Sequence, residues 1–192
     1  AGAGSQASAT IQISAEDFVF ISPKPGTLIP VGLSKAVTVR YLAGGVPQVG
    51  EKVNFAATAG IVSPTSALTN AKGEATVQIV SATASPATIQ ATLVSAAVTA
   101  QATVAIEFVA QTPAVLVLQF SPAAIGPNLG GSSVQQAQLI AAVRDANGNP
   151  VKGATVNFNR IVDPSGGNLS QASALTDSSG LASVQYVAGP LT

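Results

Sequence analysis

Asp145-x-Asn147-x-Asn149 carries oxygen-bearing side chains at the spacing that opens a calcium loop. Such a loop goes on to need a glycine at its sixth position and a bidentate glutamate at its twelfth. Pro150 and Val156 stand there instead. The run therefore reads as a turn joining two strands, since Asp and Asn side chains bond their own backbone two residues on. Glu16, Asp17 and Asp163 are the other acidic candidates for a calcium ion at a domain junction. Acidic residues are too sparse in this chain for that to be the leading expectation.

Catalytic chemistry finds little to work with. The chain has no His, so a Ser-His-Asp arrangement is excluded, and no Cys, so thiolate nucleophiles, redox pairs and thiolate metal sites are excluded too. Paired-carboxylate catalysis needs two acids at a set separation. Glu16 and Asp17 are neighbours at a strand end, where side chains diverge, and they read as a solvated inter-domain loop. A Ser-Lys pair stays open, but the serines fall in turns that their backbone bonding explains. Gly130-Gly131 and Gly166-Gly167 precede neither Lys-Ser/Thr nor a helix, so they are no phosphate loop. Asn168-Leu169-Ser170 is a glycosylation sequon. Tyr41 and Tyr186 could anchor a ligand, yet both fall on inward-facing alternation. No catalytic, cofactor-binding or metal-ligating residue is expected, and no cofactor.

The elements that hold these residues are strands. Of 192 residues, 47% are hydrophobic but only 4% aromatic, which suits thin two-layer β cores. Eight basic residues balance eight acidic ones, and no basic run marks a nucleic-acid binder. No apolar run reaches transmembrane length and no basic amphipathic helix is offered, so this segment is not expected to insert into a membrane. The lack of Cys fixes no compartment. Met is absent even at position 1, which reads as a processed product, an excised fragment or a partial record.

Period-two alternation recurs along the chain. It marks Thr10 to Ala15, Phe18 to Ile21, Ala36 to Leu42, Lys52 to Ala56, Ser66 to Thr69, Ala75 to Val80, Ala87 to Leu93 and Val98 to Phe108. About seven strands are expected between Phe18 and Val109. After Gln111-Thr112-Pro113 the series restarts with Val115 to Phe120 and Val134 to Arg144.

Two signatures then repeat. Pro47-Gln48-Val49-Gly50-Glu51-Lys52-Val53-Asn54-Phe55 returns as Pro150-Val151-Lys152-Gly153-Ala154-Thr155-Val156-Asn157-Phe158. Ala-Leu-Thr-(Asn/Asp)-x-x-Gly-x-Ala follows each copy, from Ala67 and from Ala174. A repeat in one order at this spacing indicates tandem domains. We expect a lead-in plus strand at 1–16, a complete sandwich at 17–110 and a second, truncated sandwich at 111–192. The strand in the first segment, Ala9 to Ser14, resembles Ala102 to Glu107, the last strand of the first unit. Val53, Phe55, Val156 and Phe158 should be core residues, the latter pair partly exposed for want of the final strands.

The run Arg144 to Phe158 followed by Ala174 to Val184 resembles the bacterial Ig-like domain of the intimin/invasin type, the group 1 bacterial Ig-like repeat. The first unit departs from it, with Ala43-Gly44-Gly45-Val46 in place of Asp-x-Asn-Gly-Asn and Asn70 in place of Asp177. The resemblance implies all-β, tandem immunoglobulin-like sandwiches on the bacterial outside, usually as the stalk of an adhesin, with no catalytic residues. Three functions stay open. The first is a non-enzymatic stalk segment of a cell-surface or secreted protein, an elongated particle. Its partners would be neighbouring repeats and a host or surface receptor. The second is a self-assembling filament subunit. In it Thr10, Ile11, Gln12, Ile13, Ser14 and Ala15 would enter the open sandwich of a neighbour. The third is a carbohydrate-binding module, for which the sequence shows no exposed aromatic platform.

Overall fold

Branched aliphatic residues alternating with Thr, Gln and Ser dictate strands with one dry and one wet face. The structure, a computed structural model, describes residues 16–94 and 99–191. The strands are β1 (Glu16–Ser22), β2 (Thr27–Pro30), β3 (Lys35–Ala43), β4 (Val46–Pro47), β5 (Lys52–Ala57), β6 (Ile61–Ser63), β7 (Ser66–Leu68), β8 (Glu74–Val80), β9 (Ser85–Val94) and β10 (Thr99–Val109). They continue with β11 (Val115–Ser121), β12 (Gln136–Arg144), β13 (Thr155–Asn157), β14 (Asn168–Leu169), β15 (Ser173–Leu175) and β16 (Leu181–Val187). A single 3-10 turn, Leu129–Gly131, is the sole helical element among the described residues. The protein is all-β.

Two sheets form from β1 to β10. One runs β1-β3-β8-β6 with β4 on β3, and the other β2-β10-β9-β5-β7. β1 with β3, β3 with β4 and β8, and β5 with β7 and β9 pair antiparallel, whereas β2 pairs with β10 in parallel. Val37, Val39, Ala75, Val77 and Ile79 of the first sheet are buried, as are Val53, Phe55, Ile89, Leu93 and Val104 of the second. At one end Phe18 meets Tyr41 edge to face, with centroids 6.2 Å apart, the geometry ring quadrupoles favour. From β11 onward the chain makes a four-stranded sheet, β11-β12-β16-β14, and a separate two-stranded one, β13-β15.

The chain divides into two compact units. The first takes the chain up to Pro25, Ser34–Ile79 and Thr88–Ala105; the second takes Gly26–Leu33, Val80–Ala87 and everything from Ile106 on. In the second, Ala110, Ala141, Val143, Val151, Val156, Phe158, Ala182 and Val184 form one buried cluster.

The two repeated signatures bind each other, and three bonds of this clasp recur in each unit. In the first, Gly50 N–H donates to Thr69 O at 2.8 Å, Thr69 N–H to Glu51 O at 2.9 Å, and Glu51 N–H to Thr69 Oγ1 at 2.9 Å. In the second, Gly153 N–H donates to Thr176 O at 2.9 Å, Thr176 N–H to Ala154 O at 2.9 Å, and Ala154 N–H to Thr176 Oγ1 at 2.8 Å. The turn inside the second signature is also the same. Asn70 Oδ1 accepts the N–H groups of Lys72 and Glu74, and Asp177 Oδ1 those of Ser179 and Leu181.

Several expectations need correction. Glu16 and Asp17 are not a loop: they open β1, pairing Glu16 with Ala43 and Asp17 with Leu42. Arg40, in the neighbouring strand, reaches the Asp17 carboxylate at 3.4 Å, an ion pair open to solvent. β2, β4 and β6 are additional short strands, so the stretch expected to hold about seven holds ten. They lack alternation over enough residues to be seen as periodic. Val156 and Phe158 are 7% and 6% exposed and so are buried after all. The exposure in this unit falls on the facing sheet instead.

Candidate functional site

The inner face of the second unit is where the two units differ. The pairing registers set the equivalences. Phe18 lies across from Tyr41 and Leu116 across from Val143; Phe20 lies across from Val39 and Leu118 across from Ala141. Phe18 is 9% exposed, whereas Leu116 is 57%, Leu118 45% and Phe120 54% exposed. In the first unit β5 pairs with β7 on one side and β9 on the other. Its counterpart β13 pairs with β15 and, among the described residues, with no second strand. Two adjoining clefts open there, of about 560 and 320 Å³. Leu139 and Tyr186 line both, with Leu116 and Leu118 in one and Phe120 and Ile125 in the other.

A polar cluster borders this face. Ser165 Oγ donates to Asp163 Oδ1 at 2.7 Å, Tyr186 Oη donates to the same oxygen at 2.8 Å, and the two hydroxyls lie 2.9 Å apart. Arg160 Nη1 bonds Asp163 Oδ2 at 2.9 Å and also the Gly167 carbonyl. Gly189 N–H donates to Ser165 Oγ at 3.1 Å. The Ser165 hydrogen bond, with help from Tyr186 and Arg160 and against partial desolvation, lowers the Asp163 pKa. The corresponding run of the first unit, Ala56 to Gly60, carries none of these groups. Sequence reading named Asp163 and Tyr186 separately but missed Arg160 and Ser165 as their partners. The available signal was a Tyr on an inward position, whose hydroxyl must find a partner.

The Asp145-x-Asn147-x-Asn149 run is a turn whose carboxylate faces its own loop. Asp145 Oδ1 accepts the N–H groups of Asn147 at 2.9 Å and Asn149 at 2.8 Å, and Oδ2 accepts Asn149 Nδ2 at 2.9 Å. The side-chain bond from Asn149, outweighing desolvation and joined by the two backbone bonds, lowers the Asp145 pKa. Asn149 is bound in turn, its Nδ2 donating to Ala82 O and its Oδ1 accepting the Ala84 N–H, both at 3.1 Å and within the second compact unit. Among the described residues no three acidic groups gather where they could hold a metal ion. Tyr41 is buried and Tyr186 half-buried. Thr10, Ile11, Gln12, Ile13, Ser14 and Ala15, the expected strand-exchange segment, lie outside the described residues.

Residues 128–188 match the family model described as bacterial Ig-like domain (group 1). That is the family the sequence resembles, and the match falls on the unit where the resemblance is stronger. Among solved structures, the D0-D1 domain of intimin is similar at 21% identity over 91% of this chain and 84% of that one, with a TM-score of 0.41. An adhesin of Yersinia pseudotuberculosis, InvE, is similar at 16% identity, over 92% of this chain and 52% of that one, TM-score 0.40. Invasin, titled a bacterial integrin-binding protein, is similar at 15% identity, over 93% and 34%, TM-score 0.42. The chain thus spans about half of the second and a third of the third. No curated protein matches the sequence.

Proposed function

We propose that this chain is a non-enzymatic structural and adhesion segment of a bacterial surface protein. It would be read as a sandwich at 17–110 followed by an Ig-like unit from 111, with neighbouring repeats as its first partners. The observation that carries the reading is the clasp between the two signatures, built twice around the same three bonds. A repeated unit held by its own backbone is the device of a spacer. The match of residues 128–188 to a bacterial Ig-like family supports it. So does the way the side chains most suited to chemistry are used: the Asp145 carboxylate closes its turn, and Asp163 is taken up by Ser165, Tyr186 and Arg160.

Surface labelling tests the reading. A membrane-impermeant amine reagent applied to intact source cells should modify exposed lysines such as Lys72 in the parent polypeptide. Labelling that appears only after lysis would overturn the assignment to the cell surface. A count of bound cells on immobilised protein, compared with an unrelated sandwich, tests the adhesion part; equal counts would remove it.

A further inference from the structure

One of the eight asparagines in this chain, Asn147, is followed by glycine. That order sets an amide carbon beside an unhindered main-chain nitrogen, since Gly148 has no β-carbon to block their approach. The structure leaves the pair accessible. Asn147 and Gly148 are both exposed. The Asn147 side chain makes no hydrogen bond among the described residues; it is the main-chain N–H that Asp145 Oδ1 holds. The Gly148 N–H is held by a bond of 3.1 Å to the Asp145 carbonyl, at the long end of the normal range. The other asparagines each lack a condition. Asn70, Asn128 and Asn149 spend their side chains on main-chain groups, and Asn149 precedes Pro150, whose nitrogen carries no proton. Asn54 and Asn157 lie in strands and precede phenylalanine. Asn159 and Asn168 precede Arg160 and Leu169, whose side chains crowd the attack.

We infer that Asn147-Gly148 is a self-modifying site at which the turn ages. The Gly148 nitrogen, its proton lost to hydroxide, forms a bond to Asn147 Cγ. The Cγ–Nδ2 bond breaks, and that nitrogen takes up a proton and leaves as ammonia, closing a cyclic imide. Water then adds to either ring carbonyl. Breaking the new bond to Cγ gives aspartate. Breaking the bond to the main-chain carbon gives isoaspartate, whose chain runs through Cγ and is longer by a methylene. Water and hydroxide are the sole co-reactants. The turn is sensitive to the products. Asp145 Oδ1 accepts the N–H groups of Asn147 at 2.9 Å and Asn149 at 2.8 Å together, a grip that depends on ordinary main-chain spacing. A methylene added between residues 147 and 148 moves the second N–H away from it. The new carboxylate also sets a like charge two residues from Asp145. Asn149 Nδ2 bonds Ala82 O, and its Oδ1 accepts the Ala84 N–H. Modification therefore loosens, slowly and irreversibly, the hold of this turn on residues 82–84.

The test keeps the purified protein in mildly alkaline buffer and follows its peptides by mass spectrometry. Isoaspartyl methyltransferase with a labelled methyl donor marks the isoaspartate. Acid should accumulate at residue 147 while Asn157, followed by Phe158, keeps its amide. Gly148→Ala, whose β-carbon meets open space, should slow the conversion ~10-fold or more, about 1.4 kcal/mol of barrier. Asn147→Gln keeps an amide but has to close a larger ring, and should accept no methyl group at that position. An amide retained at 147 over a period that converts an unstructured peptide of residues 141–153 overturns the site. So does an equal rate in Gly148→Ala. For the loosening, isoaspartate chains isolated by chromatography should melt below Asn147→Asp chains, which carry the new charge on an ordinary backbone. Equal melting overturns it. The chemistry is the same wherever the parent protein resides, so this inference and the stalk reading stand or fall separately.

Discussion

Thr176 Oγ1 takes the Ala154 N–H at 2.8 Å and gives its own proton to the Val151 carbonyl at 2.6 Å. This one side chain, 4% exposed, satisfies two main-chain groups of the other signature. Thr176→Val keeps the shape and leaves both groups unpaired in a dry place. The expected loss is about 2–6 kcal/mol, from about 1–3 kcal/mol for each of the two buried groups left unsatisfied. Thr69→Val, which frees only the Glu51 N–H from its hydroxyl, should cost about half as much. Urea midpoints followed by circular dichroism compare the two, and equal losses would reject the argument.

The same signatures depend on glycine at two equivalent points. Gly73 (φ +72°) and Gly180 (φ +74°) adopt the left-handed region, where a β-carbon strains the backbone. A β-carbon at Gly73 would also run into the Tyr41 carbonyl, and one at Gly180 into that of Val143. Each carbonyl is that of the strand residue whose N–H bonds the glycine's own C=O at 2.8 Å. Gly73→Ala and Gly180→Ala should each cost more than about 2 kcal/mol, the range of strain plus a broken close contact. Gly44→Ala, with the same sign of φ but open space around it, should cost about 1 kcal/mol. Thermal melts of the three variants read the difference.

Phe18 and Leu116 hold equivalent positions in very different surroundings. Phe18→Ala empties a buried site beside Tyr41 and should cost about 3–5 kcal/mol. Leu116→Ala should cost under about 1 kcal/mol in dilute protein, because more than half of that side chain is already in water. Denaturant midpoints of both variants decide it. A loss at Leu116 as large as that at Phe18 would reject the argument.

How far these relationships were legible in sequence depends on their range. The alternation of Val37, Val39 and Tyr41, or of Ala182 and Val184, is local and fixes which face is dry. The turn at Asn70 and that at Asp177 were legible for the same reason, since the side chain bonds within four residues. The clasp itself was not, although both its parts were conspicuous as repeats. That Thr176 seeks Ala154 depends on β13 and β15 pairing across an intervening loop. Glu16 and Asp17 misled because charge was taken as a strand breaker, whereas an outer strand tolerates charge when a partner such as Arg40 stands on its neighbour. Val156 and Phe158 misled differently. The open side was assigned to the wrong layer, because burial of β13 is set by the β12–β16 face it packs on, while β11 lies beyond that cover. The partners of Asp163 were out of reach, being brought together from a loop and from the end of β16.

Acid should expose the two carboxylates whose bonds hold loops. The Asp145 pKa is lowered chiefly by the Asn149 side chain, and that of Asp163 chiefly by the Ser165 hydroxyl. A carboxylate whose pKa is lower in the folded chain binds fewer protons there than when unfolded. Its stabilising contribution is present above the unfolded carboxylate range and is lost as pH falls through the depressed folded value. The melting temperature should therefore fall between about pH 5 and pH 2. Asn149→Ala removes the largest cause at Asp145 and brings its folded pKa back toward the unfolded one. The variant should be less stable at pH 7, and its melting temperature should fall less steeply on acidification than that of the parent. Ser165→Ala should act likewise through Asp163, and the double variant should be flatter still, since the two loops share no partner. Melting curves taken at intervals across that range give the slopes. An unchanged acid slope in both single variants would show that neither carboxylate carries the pH dependence.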